Sequence, residues 1–206
     1  VGVFPADRTD EVAAILADLY PGIDVMPNVI AAGLSNPNPT LHCLGVLLSA
    51  SRIEYSQGEF YYYREGMTPH VCQAIEAIDA ERVAIGRAFG IELLSLIDTY
   101  AVMGYGPEGD TFYEVISGVD LLRVIKGPGQ IDSRYLTEDV PVGLTIYSQL
   151  GRQVGVEPVL MESVIHMTTA LLGTDFGDER RTLARAGLAG MDRDQILDYV
   201  TTGRRP

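Results

Sequence analysis

Thr68-Pro-His-Val-Cys-Gln-Ala-Ile-Glu-Ala-Ile-Asp-Ala-Glu-Arg-Val-Ala-Ile-Gly-Arg-Ala-Phe-Gly90 is the stretch whose reading decides the fold. Thr68 is a capping residue, Pro69 suits the first helical position, and Gly90 ends the run. Between them Val71, Ile75, Ile78, Val83, Ile85 and Phe89 supply an apolar face, while Glu76, Asp79, Glu81, Arg82 and Arg87 are assigned to a wet one. A long helix of this kind must be covered by other elements, and the rest of the chain offers mainly helices to do it.

Upstream, Asn28 caps a short helix ending at Leu34, and the doublet Asn36-Pro-Asn-Pro39 then breaks the chain. Pro39 opens a second helix, about Thr40 to Ser51, apolar enough to be buried on most sides. Glu59 to Tyr63 is aromatic-rich and reads as a short strand or a loop. Downstream, shorter helices are expected at about Leu93 to Tyr100 and Thr111 to Ser117. A loop follows from Lys126 to Thr137, then helices over Pro141 to Leu150, Glu157 to Leu172 and Asp192 to Thr202. Only the opening departs from this pattern: Val1 to Pro5 reads as the end of a buried strand, followed by a helix from Asp10 to Leu19 capped by Thr9. The fold class is therefore all-α, with a short α/β piece at the N-terminus.

At 206 residues, 47% hydrophobic and 21% charged, the chain has the composition of a soluble globular domain. Its net charge of −13 argues against a nucleic-acid partner and against an anionic membrane surface. Lys126 is the one lysine beside fourteen arginines, so Schiff-base chemistry has a single candidate and no supporting context. Cys43 and Cys72 make no disulfide framework, and a reduced cytoplasmic setting is expected. No signal peptide and no membrane-spanning run is visible. The start at Val1, inside an apolar run, reads as a fragment boundary or a processed start.

Gly104-Tyr-Gly106-Pro-Glu-Gly109 spells a dinucleotide fingerprint. It follows a helix rather than a strand, Pro107 removes a donor, and Glu108 puts negative charge where phosphate would lie, so it is read as a plain glycine loop. His42, Cys43, His70 and Cys72 are not spaced for zinc, and no metal is expected. His42, alone, reads as a core histidine; Arg134 and Asp139, alone, read as a structural ion pair. In combination they would supply an acid/base, a carboxylate to orient it and a guanidinium for a substrate carboxylate. Asn38 lies four residues before His42 and reaches the same face if the helix extends that far back.

Asn36-Pro-Asn-Pro-x-x-His42, Tyr63-Arg-Glu-Gly-Met-Thr68, Ile75-Glu-Ala-Ile-Asp79-x-Glu81-Arg82, Arg134-Tyr-Leu-Thr-Glu-Asp139-Val-Pro-x-Gly143 and Arg181-Thr-Leu-x-x-x-Gly187 occur in that order. From about Val25 onward the chain thereby resembles the helical domain of the octopine/nopaline (opine) dehydrogenases. One departure stands: the family usually has proline after the histidine, and here Cys43 occupies that place.

The resemblance implies reductive condensation of an L-amino acid with an α-keto acid such as pyruvate, using NAD or NADP. It implies catalytic roles for His42 and Asp139, substrate contacts for Asn38 and Arg134, and a cofactor bound mainly by an N-terminal nucleotide-binding domain. Residues 1–24 would be the last strand and helix of that domain, and 25–206 the helical domain. The implied partners are the amino acid and the keto acid, and a homodimer is compatible with them. Related β-hydroxyacid-type and ketopantoate-type dehydrogenases lean on a catalytic lysine, for which Lys126 is a poor substitute. A non-catalytic helical dimerisation or interaction module stays open as the alternative.

Overall fold

The computed structural model describes residues 1–206. In chain order its helices are α1 (Thr9–Ala17), α2 (Val29–Leu34), α3 (Asn38–Leu48), α4 (Ala50–Ser56), α5 (Pro69–Ala88), α6 (Leu96–Val102), α7 (Phe112–Ser117), α8 (Asp120–Arg123), α9 (Arg134–Thr137), α10 (Thr145–Gln153), α11 (Val159–Leu172) and α12 (Arg193–Thr202). Two π-helical turns, Tyr62–Gly66 and Asp139–Leu144, interrupt the series. The fold is all-α, as expected. Val1 to Pro5 forms no strand: the chain has one isolated bridge, Tyr61 with Lys126, and Val1 alone bonds across, its ammonium donating to the Asp24 carbonyl and its carbonyl accepting from the Met26 N–H. With no second strand beside it, an extended segment has nothing to build a ladder with.

α5 is the central post. Cys72, Ile75, Ile78, Ile85 and Gly86 are buried along it, and α2, α3, α7, α10 and α11 pack around it. The wet face assigned to it needs correction. Asp79 and Arg82 are 3% and 1% exposed and pair through Arg82 Nε at 2.7 Å. The rest of the Arg82 guanidinium donates to the Leu34 and Leu94 carbonyls. Glu76, Asp79 and Glu81 each accept backbone N–H groups where another helix begins. Glu76 takes Phe112 of α7, Asp79 takes Leu96 of α6, and Glu81 takes Leu160 and Met161 of α11. A helix start carries unpaired N–H groups and a partial positive charge, so a carboxylate from a neighbour serves there as a cap.

Of the caps expected at Thr9, Asn28 and Thr68, only Asn28 closes its helix with a side chain. Asn28 accepts from Ala31 N–H, and Thr111 and Asp192 form capping boxes with Glu114 and Gln195. Thr9 and Thr68 make no side-chain cap. The helix expected from Thr40 to Ser51 begins at Asn38 and breaks at Ser49, where α4 takes over. The loop expected between Lys126 and Thr137 closes in one helical turn, α9. Buried apolar side chains form one continuous core from Ile30 to Val200. α1 buries nothing and lies outside it.

Candidate active site

His42 enters the site because α3 starts early. Asn36 Oδ1 accepts the Asn38 N–H at 3.1 Å, which bends the chain into the helix ahead of Pro39. Thr40, one turn in, faces α5, with its hydroxyl within 3.2 Å of Asp79. Two residues on, about 200° around the axis, His42 faces the opposite way. There it meets the second π turn. Nδ1 of His42 lies 2.9 Å from Asp139 Oδ2, and the two side chains are 14% and 19% exposed. Gly143 in the same turn lies against the Pro39 ring, and a methyl group there would collide with it. This close approach brings Asp139 to His42.

A carboxylate at Nδ1 accepts a hydrogen bond, so Nδ1 carries the hydrogen and Nε2 of a neutral His42 carries the lone pair. Three tyrosines surround the ring. Tyr135 packs against its face with centroids 4.4 Å apart, the Tyr63 hydroxyl lies 3.3 Å from Nε2, and Tyr62 donates to the His42 carbonyl at 3.3 Å. Burial, with Tyr135, Tyr100 and Asp139 adding to it, pushes the Tyr63 phenol far above its ordinary range. Burial does the same to Tyr62 and to the Cys43 thiol, whose Sγ donates to the Tyr135 carbonyl. Cys43 therefore stays a protonated core thiol, despite standing next to the histidine.

The imidazole opens on a cleft of about 560 Å³ lined by Asn36, Asn38, Lys126, Arg134, Glu138 and Asp139, among others. Of the residues expected from sequence, His42 and Asp139 meet directly. Asn38 and Arg134 line the same cleft and touch neither of them. Arg134 does not pair with Asp139. It is 85% exposed and pairs with Glu138 at 2.7 Å, one turn along. Lys126 is likewise engaged, with Glu59 at 2.8 Å. An adjoining cleft of about 340 Å³ shares Asn36, Glu138 and Asp139 and adds Arg181, with which no carboxylate pairs. The sequence reading assigned no role to Arg181 or to Tyr62, Tyr63 and Tyr135. The signal available was the Tyr63-to-Thr68 motif, which carried a resemblance but no chemistry.

The other motifs lie elsewhere. Gly104 to Gly109 links α6 to α7, and the start of α7 is already closed by Thr111 and Glu114, which take N–H groups a phosphate would need. These residues do not fit a dinucleotide pyrophosphate. No three His, Cys, Asp or Glu side chains converge as metal ligands would. No helix is long and apolar enough to cross a membrane.

The comparisons with known proteins agree with this layout. Residues 25–172 match the family model described as NAD/NADP octopine/nopaline dehydrogenase, alpha-helical domain. The chain is 38% identical over 196 residues to the opine dehydrogenase of Arthrobacter sp. (strain 1C), covering 95% of this chain and 54% of that protein. It is 30% identical over 167 residues to the vitopine synthase of Allorhizobium ampelinum, covering 81% of this chain and 46% of the relative. It is 28% identical to the protein ocs of Agrobacterium tumefaciens (strain Ach5), over 92% of this chain and 56% of the relative. The chain thus spans about half the length of these relatives. An all-helical body, the two π turns that carry the site and the match over residues 25–172 lead to one assignment: the chain belongs to the octopine/nopaline dehydrogenase helical-domain family.

Proposed function

We propose that this chain is the substrate-binding and acid/base half of an opine dehydrogenase, which joins the amino group of an L-amino acid to the carbonyl of an α-keto acid such as pyruvate. The carrying observation is the His42–Asp139 pair at 2.9 Å, mostly buried and lining a cleft. Condensation releases water and forms a C=N bond; reduction adds a hydride at carbon, and nitrogen ends with one hydrogen. A nicotinamide cofactor, held by a nucleotide-binding half, supplies the hydride. The residues of this chain bind, orient and move protons. His42 Nε2 takes a proton from the amine or gives one to the departing carbonyl oxygen, and Asp139 balances the imidazolium that forms.

Both substrates are carboxylates, and a net charge of −13 makes local cations necessary. Arg134 offers a planar fork for one carboxylate. Its present partner, Glu138, is 52% exposed, so exchanging that pair for a substrate costs little. Arg181, free of a carboxylate, is the cation at the other side of Asp139. Asn38, at the rim, can hydrogen-bond the carbonyl or the carboxylate of a bound substrate. Residues 1–24 are read as belonging with the nucleotide-binding half; they precede the family match and contribute no buried helix face.

The test is NADH- or NADPH-dependent turnover of a panel of amino acids with pyruvate by the complete enzyme. His42→Ala is expected to lower kcat by about 100-fold or more, in the range of acid/base catalysis. A loss below about tenfold removes His42 from that role. The 206 residues alone are expected to turn nothing over. Turnover by them would show that the hydride-delivering half is dispensable.

A further inference from the structure

Tyr63 is the group nearest to the nitrogen that the reaction uses. We propose that Tyr63 is a positioning residue for His42: its buried hydroxyl donates to Nε2, holds the ring in the orientation and tautomer that Asp139 sets from the other side, and yields that nitrogen when substrate arrives. The proposal rests on the reading of His42 as the acid/base.

Asp139 accepts the hydrogen bond from Nδ1–H, so Nε2 of the neutral ring accepts, and a phenol facing it donates. Tyr63 is 5% exposed, which shuts the phenol away from bulk water. Burial keeps its one O–H in place, with Nε2 of His42 and the Tyr135 side chain as its polar neighbours. The hydroxyl is aimed by its neighbour. Tyr62 stands edge-on to Tyr63, with centroids 4.9 Å apart, and bonds the His42 backbone carbonyl. Two consecutive tyrosines thus grip one histidine, one by its main chain and one by its ring. Gly45 makes room for the grip, since a side chain there would run into the Tyr62 hydroxyl.

The 3.3 Å separation is long for a hydrogen bond between hydroxyl and ring nitrogen, so a substrate group can replace it. Of the other charges nearby, Arg181 lies beyond Asp139 in the adjoining cleft, without a carboxylate partner. Lys126 and Arg134 in the cleft are each neutralised by Glu59 and Glu138. Asp79 and Arg82 of α5 face Thr40, on the far side of α3. The buried residues of α11 are uncharged, and burial keeps the Cys43 thiol protonated. Asp139 and Tyr63 are the two hydrogen-bond partners of the ring nitrogens, one on each.

The experiment is a pH titration of the 206-residue chain carrying ring-labelled 15N-histidine, followed by NMR. His42, His70 and His166 are the three histidines to be resolved. Tyr63→Phe is expected to raise the His42 midpoint by about half a pH unit, a roughly threefold gain in proton affinity, and to leave His70 and His166 in place. An unchanged or lowered midpoint overturns the proposal. If Tyr63→Phe does not fold, the wild-type spectrum decides. Neutral His42 must then show a protonated Nδ1 and a bare, hydrogen-bonded Nε2, and the opposite tautomer overturns the proposal. Neither readout uses turnover, so its failure is distinct from failure of the opine reading.

Discussion

At the residue scale, Asp79 does the most structural work for its size. One carboxylate neutralises Arg82, closes the start of α6 through Leu96 and reaches the Thr40 hydroxyl. Removing it leaves a guanidinium 1% exposed with no counter-charge. Asp79→Ala is expected to cost about 3–5 kcal/mol in urea unfolding, the range for breaking one side of a buried ion pair. A loss below about 1 kcal/mol would mean that water reaches Arg82 and the pair is not sealed. His42 illustrates the opposite kind of residue, since its surroundings outweigh its own chemistry. From sequence it reads as a core histidine until Asp139 is placed beside it, and Tyr63 stays invisible because an aromatic residue in an irregular segment carries no hint of where its hydroxyl points.

At the scale of elements, both π turns deliver the site: the first carries Tyr62 and Tyr63, the second Asp139. Such turns insert an extra residue and swing side chains off the regular helical rows, which is how they come to serve functional sites. Gly143→Ala tests the second turn. Its new methyl group must push the turn away from Pro39, and with it Asp139 from His42. The expected result is a stability loss of about 1–3 kcal/mol, as for an overfilled core position. It should come with a larger than tenfold fall in kcat of the complete enzyme, measured beside the thermal melt. Unchanged kcat would show that the pair tolerates the shift. Helices bounded by Asn28, Thr111 and Asp192 were legible because their caps are local chemistry. The π turns were not, because they have no periodic signature. The role of Glu76, Asp79 and Glu81 was hidden for a related reason: their partners lie on other helices.

Over the whole molecule, the protons held by burial set an alkaline limit. Burial raises Cys43, Tyr62 and Tyr63 well above their ordinary values and pushes Cys72 up to about 12, with Glu76 adding to the last. In the unfolded chain thiols ionise near about 8.5 and phenols near about 10. The folded state then keeps protons that the unfolded state releases, so stability is fully present below about pH 8.5 and falls as pH rises beyond it. Thermal melts from pH 7 to 11 are expected to be flat at first and then to decline. The Cys43→Ala, Cys72→Ala double variant should delay the onset towards the phenol range. A Tm constant to pH 11 would contradict this. The 97-residue separation of His42 from Asp139 carries a last consequence, for synthesis. At roughly 5–20 residues per second a ribosome makes the histidine and then takes about 5–20 s to reach its carboxylate. Through that interval the nascent chain holds an imidazole with no fixed tautomer. The ring is therefore fixed only in a chain translated through the second π turn.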